Sequence, residues 1–119
     1  MIEELMADIS QQVALEEDAA SLRELLAKTI ATGRSLNAFF SPERGVALGI
    51  HLLGFMRRVR KKEYLEPVDP SLLSQVSSDV FSVSKQLLTD YGRKFGREID
   101  DTEALLLAVH LEAARNTQS

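Results

Sequence analysis

No cysteine occurs in the 119 residues. Disulfides, thiolate nucleophiles and cysteine metal knuckles are therefore excluded, and a reducing compartment costs this protein nothing. Long apolar runs are lacking too, since none approaches the ~20 residues that a membrane span requires. Positive charge is not in excess: 14 Lys and Arg stand against 18 Asp and Glu, for a net charge of −4, where a nucleic-acid-binding domain would be basic. The first residues, MIEELMADIS, are acidic and amphipathic, the opposite of the basic start of a signal peptide. Alternating strand patterns are almost absent. What remains is the composition of an ordinary globular chain, 45% hydrophobic and 27% charged, long enough for a single domain over residues 1–119 with one core. A cytoplasmic domain that does not enter membranes is expected.

Helical periodicity fills the chain. Ile2, Leu5, Ile9 and Val13 form a first stripe, and Leu15, Ala19, Leu22, Leu26 and Ile30 a second on another face, which places a break near Glu17. Ser21 and Glu24 have the spacing of a capping box, or simply lie within the helix. Gly33 and the RSLN that follows it end this segment. Ser41 and Pro42 open a third helix as N-cap and first residue, running to about Arg60. Pro67 and Pro70 make residues 63–70 a loop. Asp69 and Pro70 repeat the cap-then-proline start, and Leu73, Val76, Val80, Val83 and Leu87 continue as one long stripe, closed by Gly92 and Gly96. Asp100 and Glu103 form a capping-box pattern for a last helix reaching about Arg115, after which NTQS frays. The expectation is an all-α, compact five-helix bundle, with the helices starting at Pro42 and Asp100 at its centre.

Those two helices carry the only histidines, each in an apolar setting. On the first, Leu48, Leu52, Phe55 and Val59 make one stripe and Val46, Ile50 and Leu53 another. His51, Gly54 and Arg58 share a face. Gly45, Gly49 and Gly54 each cost the helix about 1 kcal/mol against alanine, which close approach by another helix would explain. On the second, Glu103, Leu107, His110 and Ala114 share a face; Glu103 stands about 10 Å along the axis from His110, so it is expected to act across an interface rather than to clamp the imidazole. A single histidine on an apolar helix is commonly a core residue bonded to a carbonyl. The matched pair argues for a site.

HLLGFMRR, then a proline-bearing loop and a long helix, then DDTEALLLAVHLEAA, together resemble the PTS regulation domain (PRD) family, found in bacterial antiterminators and transcription activators governed by the sugar phosphotransferase system. The first family motif is met by His51, Leu52, Phe55 and Arg58, with Phe55 one place later than the usual aromatic; the second is met by Glu103 and His110. The resemblance spans residues 20–115 and leaves an additional N-terminal helical segment. It implies a five-helix bundle that dimerises, with His110 and His51 as phosphorylation sites served by the phosphocarrier HPr or an enzyme II B component. Family members often place aspartate before the first histidine, where this chain has Ile50, so His110 is the favoured acceptor. The chain has one copy of the domain and no nucleic-acid-binding module beside it, so direct nucleic-acid binding is not expected.

Arg58 could pair with a phosphate on His51, and Glu103 could repel one. Neither an enzyme nor a cofactor is expected, for want of a glycine-rich phosphate loop or nucleophile motif. The competing readings are a helical dimerisation or interaction module without phosphorylation, and a metal-binding helical protein with Glu103 as third ligand to the two histidines, although HExxH is missing. A nucleic-acid binder would use RRVRKK at 57–62, which reads instead as a solvated helix end favoured by the dipole. Surplus apolar surface on the histidine helices and the first segment points to a homodimer.

Overall fold

The computed structural model describes residues 1–116, and its elements are helices and turns with no strand among the described residues. Five α-helices occur, as expected: α1 (Ile2–Gln12), α2 (Ala19–Ser35), α3 (Pro42–Lys61), α4 (Ser78–Arg93) and α5 (Asp101–Asn116). The break after α1 begins at Val13, whose backbone is extended, and ends in a 3-10 turn at Glu16–Asp18. Ser21 and Glu24 lie inside α2 as exposed residues. Ser41 caps α3 by accepting from the Arg44 N–H at 3.2 Å, and Pro42 follows it. The expected fraying of NTQS concerns mainly residues 117–119, outside the described residues; Asn116 is still helical.

The long stripe beginning at Leu73 is not one helix. Asp69 does cap by accepting from the Ser71 N–H at 2.9 Å, but what it starts is a 3-10 turn, Pro70–Gln75, and Val76 is then extended. A carboxylate from another helix supplies the reason. The buried Glu112 of α5 accepts from the Ser77 N–H at 2.5 Å, so the backbone donor before α4 is satisfied from outside and the helix begins afresh. Leu73 is left 52% exposed rather than in the stripe. Gly92 likewise does not stop α4. It lies within the helix, where a Cβ would stand 2.6 Å from the Arg97 carbonyl oxygen; the stop is Gly96, at φ +67°.

α3 and α5 occupy the centre. α3 packs on α1, α2 and α5, while α5 packs on α3, α4 and the Pro70–Gln75 turn. Leu48, Leu52, Phe55, Met56 and Val59 of α3 are buried with Leu107, Ala108 and Leu111 of α5. Gly45 and Gly49 are explained by α1: a Cβ on Gly45 would lie 2.8 Å from Leu5 Cδ2, and one on Gly49 would overlap Ile9 Cδ1. Gly54 has no such neighbour, only the Arg58 Nη1 of its own helix at 3.3 Å. The α1 stripe is thus spent within the chain, and Leu53 of the second α3 stripe is buried as well, leaving Val46 and Ile50 half-buried. Much of the apolar surplus behind the homodimer expectation is therefore covered internally.

The basic run at 57–62 is solvated only at its end, where Arg60, Lys61 and Lys62 are exposed; Arg57 and Arg58 are half-buried. Arg57 Nε donates to Asp18 Oδ2 at 2.9 Å, and Arg60 also pairs with Asp18, which is 3% exposed. The two guanidiniums hold the Asp18 carboxyl below its usual range against the opposing effect of burial. Three of the five basic residues of the run, Arg57, Arg58 and Arg60, are paired with carboxylates of the same chain, which leaves Lys61 and Lys62 as its unpaired charges among the described residues.

Gly49→Ala is expected to lower stability by roughly 1–2 kcal/mol, because forcing Ile9 aside outweighs the gain in helix propensity. Adding Ile9→Val, which removes the overlapping methyl, should recover most of the loss, and urea denaturation of both variants checks it.

Candidate functional site between α3 and α5

Two contacts, one heptad apart, join α3 to α5. At one, Arg58 Nε and Nη2 donate to the two carboxylate oxygens of Glu103 at 2.8 and 2.9 Å. At the other, the rings of His51 and His110 meet with centroids 4.9 Å apart and planes tilted by 36°. Arg58 follows His51 by seven residues, and Glu103 precedes His110 by seven. The helices therefore run antiparallel, with these as successive rungs about 10 Å apart. The two histidines and both supporting residues, far apart in sequence, come together at one helix interface.

The roles at the interface differ from expectation at two points. Glu103 is fully buried and reaches across the interface to Arg58, so it does not return to cap its own helix; the Asp100–Glu103 capping box is not formed, and Asp100 Oδ1 is buried without a partner. Arg58, in turn, is already held by Glu103 rather than waiting beside His51. Its backbone carbonyl accepts from Arg97 Nη1 at 3.4 Å, and the Arg97 guanidinium lies 3.7 Å from the centroid of the Tyr64 ring. Arg97 and Tyr64 belong to no motif, and no spacing or periodicity singles out either one.

Neither imidazole is bonded to a carbonyl among the described residues, which sets aside the core-histidine reading in its usual form. His51 lies deeper, with Nε2 buried and unpartnered; the nitrogens of His110 are not among the buried unpartnered atoms. Burial first, then His110 and Arg58, push the His51 imidazole down from 6.5 to about 4. Burial and then Arg44 hold His110 below its ordinary value. His110 thus takes the first proton, and its charge then opposes a second on His51. At neutral pH both rings are uncharged, and each has a nitrogen lone pair able to attack an electrophile. Among the described residues no group of three side chains is arranged to hold a metal ion, and Glu103 is committed to Arg58. No helix among them is long and apolar enough to cross a membrane. Arg44 had no place in the sequence reading; its signal was the heptad Arg44, His51, Arg58 along one face of α3.

A family model, the PRD domain, matches residues 32–114. The chain belongs to the PRD domain family. The match takes in α3, α4, the last residues of α2 and nearly all of α5, and so contains both histidines, Arg58 and Glu103. No curated protein matches the chain. Among solved structures, a PRD-containing transcription regulator from Lactobacillus casei ATCC 334 superposes with a TM-score of 0.76 at 24% identity, over 96% of this chain and 94% of that one. The likeness shows that the fold is shared, and its coverage extends it beyond the matched PRD region to α1 and α2.

Two outcomes are expected at this site. The His51 shift makes the unfolded chain bind a proton more readily than the native one below pH 6.5. Stability should therefore be full above about pH 6.5 and fall by up to about 3 kcal/mol as pH drops towards 4; His51→Gln should flatten that part of a melting-temperature profile. Arg58→Leu should cost about 3–5 kcal/mol by stranding the Glu103 carboxylate. Joining it to Glu103→Leu should restore most of the loss in denaturant titrations.

Proposed function

We propose that this chain is a PRD-type regulatory protein of the bacterial sugar phosphotransferase system, phosphorylated on histidine to control a transcriptional or transport response. The observation that carries the reading is the meeting of two neutral imidazoles at the α3–α5 interface of a PRD fold. A phospho-acceptor histidine must be uncharged to attack phosphorus, and it must be reachable by its donor. His110 meets both needs, and His51, with Nε2 sealed, meets the second less well. His110 is therefore the principal acceptor and His51 the secondary one. A phosphate adds about −1.5 to −2 charges where two helices meet, a large local change. The phosphocarrier HPr or an enzyme II B component is the donor, in the cytoplasm, and the protein works as a homodimer without a catalytic activity of its own. The likeness to a transcription regulator favours a transcriptional response.

Incubation with phosphoenolpyruvate, enzyme I, HPr and candidate B components should add one acid-labile phosphate, seen by intact mass. His110→Ala should remove most of it and His51→Ala less. Labelling that neither substitution alters, or no labelling by any donor, would leave a helical interaction module without this chemistry.

A further inference from the structure

Three residues of α3, Arg44, His51 and Arg58, recur at seven-residue spacing on one face. The two arginines of that series are in opposite states. Arg58 has Nε and Nη2 on a buried carboxylate. Arg44 is exposed, and among the described residues its guanidinium enters no ion pair; only its backbone N–H is engaged, by the Ser41 hydroxyl. It also stands in the first turn of α3, where the partial positive charge of a helix N-terminus favours anions and disfavours a cation. Local electrostatics therefore give no account of an arginine there.

The helix pair supplies one. Because α5 runs antiparallel to α3, the residues following His110 head towards the first turns of α3. Arg44 and the Arg58–Glu103 pair thus flank the imidazoles from opposite ends. Among the described residues, the groups that face His110 are the His51 ring across the interface, Arg44 from the N-terminal side of α3, and Arg58, paired with Glu103, one rung beyond. The Arg44 charge reaches His110, where it opposes protonation of the ring. The same charge would favour an anion attached to that ring.

We infer that Arg44 is a positioning residue for His110, its exposed guanidinium pairing with the phosphoryl oxygens as the phosphate is received and held there. This rests on the phospho-acceptor reading and adds the residue that steers phosphate to His110, because Arg58 is tied to Glu103 and cannot serve His51 without leaving it. Arginine matches phosphate oxygens in a forked geometry.

Potassium phosphoramidate tests this without a donor protein. The imidazole lone pair forms the N–P bond as the P–N bond to ammonia breaks, and the ring proton leaves with ammonia as ammonium. Site-resolved mass spectrometry of the full chain should show His110 labelled, at a rate reduced about fivefold in Arg44→Gln, the scale of one exposed charge pair. Arg44→Lys should recover part of the rate, and Arg93→Gln, a surface charge on α4, should not change it. In the unlabelled protein, NMR titration should show the His110 pKa rising in Arg44→Gln with melting temperature unchanged, a result no structural role of an exposed side chain would give. Wild-type labelling at His110 with the same rate and the same pKa in Arg44→Gln would overturn the role of Arg44 alone. Absence of His110 labelling by phosphoramidate and by the enzymatic donors would overturn the acceptor reading and this inference with it.

Discussion

The forked ion pair between Arg58 and Glu103 sets the register on which the rest of the interface depends. Antiparallel helices with apolar faces can slide by a turn at small cost, since one leucine packs much like another. A buried carboxylate cannot slide. Moved by one turn, about 5.4 Å, Glu103 would lose its guanidinium while still out of water, a loss of several kcal/mol. Only one alignment of α3 on α5 satisfies it, and in that alignment, one heptad along, His51 lies against His110. An ion pair of this kind adds little net stability over a well-packed apolar pair. Its contribution is the choice of alignment, and the site follows from that choice.

The same device recurs at the edges of the bundle. Asp18, buried at the end of the 3-10 turn, binds Arg57 and Arg60 and so fastens the α1–α2 connection to the end of α3. Glu112 reaches from α5 to the backbone before α4, and Arg115 beside it pairs with Asp79 in the first turn of α4. Each of these carboxylates joins segments that the apolar core leaves free to rotate. α1 is held differently, by shape: Gly45 and Gly49 open a groove in α3 that Leu5 and Ile9 fill. The family match leaves α1 out, yet its packing against α3 is as close as any in the core.

Local chemistry made most of the fold legible. Ser41 with Pro42, the 3.6-residue stripes and the glycines of α3 each act through neighbours a few residues away or through a contact whose existence, though not whose partner, a missing side chain announces. Legibility failed wherever a residue is satisfied from far along the chain. Asp100 and Glu103 have the spacing of a capping box, but a distant guanidinium offers Glu103 more than a backbone N–H does. The stripe from Leu73 to Leu87 has the period of one helix, but Glu112 interrupts it. RRVRKK reads as solvated throughout because nothing nearby pairs with it, whereas the partners of its three arginines lie 39 to 45 residues away. The histidine pair was legible only as two matching settings, and Arg44 only as a spacing.

The α3–α5 interface keeps its imidazoles neutral to a lower pH than solvent-exposed rings would stay. Burial favours the neutral ring at both positions, and each ring has a permanent cation near it, Arg58 for His51 and Arg44 for His110, which favours the neutral ring again. Those cations would be a poor way to stabilise a fold, since they add to burial, the larger cause, in making the native protein resist protons that the unfolded chain accepts, and stability is lost in acid as a result. They suit a ring that must keep its lone pair while standing close to an incoming anion. A carboxylate in either place would raise the imidazole pKa and repel phosphate, failing on both counts. Glu103, the carboxylate one rung along the interface, is instead turned onto Arg58, and its position there fixes the helices.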